Sequence, residues 1–124
     1  MLIVSLAEYI QAVSDAIGDA GIQAPAMATI HADERPIPQV LTGELVLWGT
    51  GSDTWPGVLR LCWHSGRGWW ATGERPGPGV ALGVPAVASP EAVAANLRHL
   101  LIHGPRSCPP PRVDLWERRR ELGS

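Results

Sequence analysis

Residues 58–72, VLRLCWHSGRGWWAT, constrain the fold more than any other stretch of the chain. From Val58 to His64 the side chains alternate, with Leu59, Leu61 and Trp63 on one side and Val58, Arg60, Cys62 and His64 on the other, the period of a half-buried strand. Ser65-Gly66-Arg67 is a short turn and Gly68–Thr72 returns from it, so the two runs form a β-hairpin. A lone hairpin is at best marginal in water, so the chain must supply more strands and a layer to cover the Leu59, Leu61 and Trp63 face. Trp69 and Trp70 are adjacent and therefore point to opposite faces, which predicts one in the core and one on the second face.

The remaining chain supplies those parts. Residues 26–33, AMATIHAD, alternate with Met27, Thr29 and His31 opposite Ala28 and Ile30; residues 44–48, ELVLW, form a second apolar run. Val80–Val84 is confined to a sheet edge by the prolines around it. Near the start, Ser5 and Glu8 have the spacing of a capping box, and Leu6, Tyr9, Ile10, Val13, Ala16 and Ile17 form one helical stripe up to Gly18. Ser89-Pro90-Glu91 announces a second helix, whose stripe is Val93, Leu97, Leu100 and Leu101 and whose stop is Gly104-Pro105. The expected fold is α+β: an antiparallel sheet of four to five strands, with an N-terminal and a C-terminal helix packed on one face. Residues 1–104 form this single domain. Residues 105–124 read as a proline-rich linker and a short terminal helix capped at Asp114, frayed or docked through Leu115, Trp116 and Leu122.

Composition narrows the function classes. With 124 residues, 45% of them hydrophobic and 18% charged, the chain can bury a core and is too apolar to be disordered. A net charge of −2 leaves no positive field to gather nucleic acid. All ten basic residues are arginine, which reflects a GC-rich coding bias and rules out a lysine-dependent phosphate loop. The opening MLIVSLAEYI lacks a positive leader region and is interrupted at Ser5 and Glu8, so neither a signal peptide nor a membrane span is expected. Cys62 and Cys108 share no framework spacing and read as free thiols of a cytoplasmic protein.

Chemistry-bearing residues are sparse. His99 and His103 lie four apart on the second helix, but no third ligand follows, and histidines in the last turns of a helix favour the negative end of its dipole. Cys62 and His64 are neighbours on one strand face, about 7 Å apart by the strand rise and too far for direct hydrogen bonding; convergence of Cys62 with His31 from another strand stays open. With no nucleophile elbow or spaced acid pair, no catalytic site, cofactor or metal is expected.

The surplus is aromatic: six tryptophans in a chain with one tyrosine and no phenylalanine exceed what one small core hides. Tryptophan and arginine are favoured at interface centres. The expected activity is that of a non-enzymatic interaction or regulatory module that binds a protein partner or a second copy, as a homodimer, through the open sheet face and the tail. The expected contacts are Trp48, Trp55, Arg67, Trp70, Trp116, Arg119 and Arg120. Two other readings fit the same residues. One is an immunity-type protein that plugs a toxin; the other is a nucleic-acid accessory protein using Arg118–Arg120, a run diluted by Asp114, Glu117 and Glu121.

Several stretches together resemble a family of small actinobacterial proteins known as domain of unknown function six-two-nine-two. They are Tyr9-Ile10-Gln11-Ala12-Val13 with Ala16 to Gly18, ATIHAD at 28–33, LRLCWHSGRGWWATGE at 59–74 and PEAVAANLRHLL at 90–101. The family's hairpin turns through an acidic loop from a strand ending in tryptophan into Gly-Trp and ends at a glutamate, here Trp63, Gly68, Trp69 and Glu74. This chain has His-Ser-Gly-Arg at that loop and a longer connection at 40–57. The resemblance implies a shared fold and no activity.

Overall fold

The computed structural model describes residues 3–22, 27–32, 41–48, 57–73, 79–104 and 106–116. The elements are α1 (Ile3–Asp19), β1 (Met27–Ala32), β2 (Leu41–Trp48), β3 (Val58–His64), β4 (Gly68–Thr72), β5 (Val80–Ala81) and α2 (Pro90–His103). The five strands form one antiparallel sheet in chain order. The α+β expectation holds, with both helices on one side of an antiparallel sheet.

The stripe read in α1 is its buried face: Leu6, Tyr9, Ile10, Val13 and Ile17 are all buried. Burying each contributes about 1.5–3 kcal/mol, which anchors the helix to the sheet. Its ends differ from expectation. The helix begins at Ile3, so Ser5 lies within its first turn and not before it. It also runs past Gly18, because the backbone closes on Gly21. That glycine has φ 82°, its N–H donates to the Gly18 carbonyl, and the Ile22 N–H reaches back to Ile17. This is a Schellman closure, with Ile22 folded onto the apolar stripe that Ile17 ends.

Strand alternation then sorts the sheet. Leu41, Leu45, Leu47, Leu59, Leu61, Trp63, Trp69 and Ala71 join the core beneath the helices. Gly43 sits among them because a Cβ there would lie 3.2 Å from Ile10 Cδ1; the bare backbone lets α1 lie directly on β2. Strand β2 starts three residues before the apolar run at 44–48, since pairing with β1 and β3 continues to Leu41 and Thr42. The β3–β4 hairpin matches its reading from sequence and closes at Gly68, φ 86°, where a side chain would press on the Val84 carbonyl.

Helix α2 begins as read: the Ser89 hydroxyl accepts from the Ala92 N–H at 3.2 Å and Pro90 fills the first turn. Its stripe, Val93, Leu97, Leu100 and Leu101, is buried. The segment after it departs from the expected linker and helix. Residues 107–116 return beside residues 83–89, with the Arg112 N–H on the Gly83 carbonyl, the Ser89 N–H on Asp114 and the Trp116 N–H on Val87. Asp114, Leu115 and Trp116 are extended, because their backbone groups find partners on the turn before α2 and need no helical ones. Residues 117–124, the rest of the expected helix, lie outside the described residues.

Polar groups hold this return in place. Asn96, fully buried on α2, donates to the carbonyls of Leu82 at 2.7 Å and Pro110 at 2.8 Å, and its oxygen accepts from Arg112 Nε at 2.7 Å. One side chain thus joins the sheet edge, the helix and the proline segment.

Candidate functional site: the open face of the sheet

Tyr9 is the hub of the aromatic residues on the helix side. Its ring meets Trp63, Trp69 and Trp116 at centroid distances of 6.4, 6.0 and 5.0 Å. Its hydroxyl donates to the Ala88 carbonyl at 2.6 Å and accepts from Trp69 Nε1 at 3.2 Å, while Trp63 Nε1 donates to Ala86. Burial pushes the phenol up to about 12, because the phenolate would be stripped of water; the Trp69 hydrogen bond opposes this in part. The Tyr9 hydroxyl and the Trp63 and Trp69 indole N–H groups are all spent on structure.

The other face carries the chemistry. Strand register lines up His31, Thr42 and His64 in one row across β1, β2 and β3, and Thr29, Glu44, Cys62 and Trp70 in the next across four strands. A shallow depression of about 240 Å³ lies there, lined by Thr29, His31, Thr42, Glu44, Cys62 and Trp70. Arg60 forms a 3.5 Å ion pair with Glu44 beside it. Trp69 is 3% exposed, whereas Trp70 is half-buried, its indole resting where a Gly79 side chain would otherwise stand. The split between the two adjacent tryptophans is the one their alternation predicts.

The convergence of Cys62, His31 and His64 left open by the sequence is only partial. His31 and Cys62 share the depression, but His64 turns its Nδ1 to the Gly66 N–H, 2.9 Å away, and serves its own turn. Burial pushes the Cys62 thiol up, and the Glu44 carboxylate, 4.0 Å from Sγ, pushes it the same way. A thiol held protonated beside a carboxylate is a poor nucleophile. Among the described residues, no three His, Cys, Asp or Glu side chains cluster as metal ligands.

The expected contact residues separate. Trp70 lies on the open face and Arg67 is exposed at the hairpin turn. Trp116 packs on Tyr9, so it is half-buried in the chain's own body. The side chain of Trp48, and Trp55, Arg119 and Arg120 entirely, lie outside the described residues. Glu44, Thr29 and Thr42 were not singled out from sequence. Thr29 and Glu44 fall within recognised runs and Thr42 does not, and it is the register of β2 with β1 and β3 that brings the three to one face.

Comparison with protein-family models, curated proteins and solved structures found no match for this chain. No helix among the described residues is long and apolar enough to cross a membrane.

Proposed function

We propose that the chain is a non-catalytic interaction module whose open sheet face receives a protein surface, a second copy of the chain being the first candidate. The observation that carries this reading is Trp70, a large indole left half-exposed on a mixed polar face while its neighbour Trp69 is used in the core. Both helices occupy the opposite side, and the described part of the tail packs there as well, against Tyr9 and Asn96. Glu44 and Arg60 neutralise each other, so the centre of the face neither selects a charged partner nor repels its own copy. An aromatic side chain at a patch without net charge is what interface centres favour.

Sedimentation of the wild type and Trp70→Ala across a concentration series tests this. Concentration-dependent association that weakens at least tenfold in Trp70→Ala, with unchanged melting temperature, is expected. A monomer at every concentration, together with equal retention of proteins from the source cell by wild type and Trp70→Ala, would overturn it.

A further inference from the structure

The two histidines on α2 hold a geometry that neither the fold nor the open face uses. His99 is half-buried, His103 is exposed at the last helical residue, and their ring centroids are 4.4 Å apart. The last-turn carbonyl of Leu100 accepts from the Gly104 N–H at 2.7 Å and not from either imidazole. Among the described residues, neither imidazole has a hydrogen-bond partner. Within the described residues, the nitrogens of both rings are left to act as ligands.

We propose that His99 and His103 form a two-histidine chelate for a late first-row divalent cation, Ni(II) or Cu(II). An ion about 2.0 Å from a ligating nitrogen lies about 3.1 Å from that ring's centroid. With one nitrogen of each ring turned to the same ion, centroids 4.4 Å apart subtend about 90° at it. A right angle is the cis angle of tetragonal and octahedral complexes, and is tighter than the wider angle a tetrahedral zinc centre requires. The helix end adds a second attraction, since the negative pole of its dipole favours a cation at the last turn. Leu97, Leu100 and Leu101 anchor the helix beneath the pair, so the backbone spacing of the two positions is held by packing and only the two side chains need ordering on binding. No third His, Cys, Asp or Glu among the described residues completes the site, which leaves the remaining positions to water or to a donor from another molecule.

Calorimetric titration of the full chain with Ni(II), and separately with Zn(II), reads the site directly. One Ni(II) per chain is expected, bound more tightly than Zn(II). His99→Gln and His103→Gln should each weaken it about tenfold or more, because the second imidazole acts at high effective concentration. Both substitutions are at exposed or half-exposed positions, and an unchanged melting temperature without metal shows that the variants fold. His31→Gln with His64→Gln should leave the titration as it is. Overturning results are Ni(II) binding that survives either single α2 substitution, binding lost only in the His31 and His64 variant, or tighter binding of Zn(II) than of Ni(II).

Discussion

Tyr9 is the side chain on which most of the internal order converges. Tyr9→Phe keeps the ring contacts but leaves Trp69 Nε1 and the Ala88 carbonyl without their partner. The expected loss is about 1–3 kcal/mol in chemical denaturation, the cost of buried polar groups left unpaired. The same hydroxyl gives the molecule an alkaline limit. Its pKa is raised from 10.0 to about 12 in the folded chain, so the unfolded chain ionises first. The stability it supports is intact below pH 10 and falls as pH rises from 10 to 12, by up to about 1.4 kcal/mol per unit. A pH series of melting curves should show that decline, and Tyr9→Phe should flatten it. Asn96 is the second such residue. Asn96→Leu removes the donor to two carbonyls and the acceptor for Arg112, with an expected loss of about 2–4 kcal/mol.

At the scale of elements, the strap of residues 106–116 is part of the fold and not an appendage. Removing residues 105–124 should cost on the order of 3 kcal/mol or more, from lost Trp116 burial and from the orphaned Asn96. Differential scanning calorimetry of the truncated chain measures it; an unchanged melting temperature would show that the docking carries no weight. The strap also marks where sequence reading ran out. Helix α2, the β3–β4 hairpin and the split of Trp69 from Trp70 were legible because each follows from a local period or a local cap. The Schellman end at Gly21 displaced Gly18 because either glycine could stop the stripe, and only the position of Ile22 over the core decides between them. The extended path of Asp114–Trp116 was illegible because Asp114 and Glu117 have helix-start spacing, while the competing partners, Val87 and Ser89, lie more than twenty residues away in sequence. Buried Asn96 was missed for the same reason: an asparagine within a helical stripe carries no local sign of three distant partners.

The whole molecule is two-sided. One side joins helices, sheet and strap through the Tyr9 cluster; the other presents His31, Thr42 and His64 beside Glu44, Cys62 and Trp70. The open face was legible as a consequence of strand alternation, but its composition needed the register, since Glu44 could be placed beside Cys62 only after β2 and β3 were paired. Incorporation of 5-fluorotryptophan, with resonances assigned by single substitution, tests the two-sided account most directly, because it reads both faces in one spectrum. When the chain is concentrated, or when its partner is added, the Trp70 resonance should shift or broaden while those of Trp63 and Trp69 stay fixed. Shifts confined to Trp63, Trp69 or Trp116, with Trp70 unmoved under conditions where association is independently measured, would contradict it.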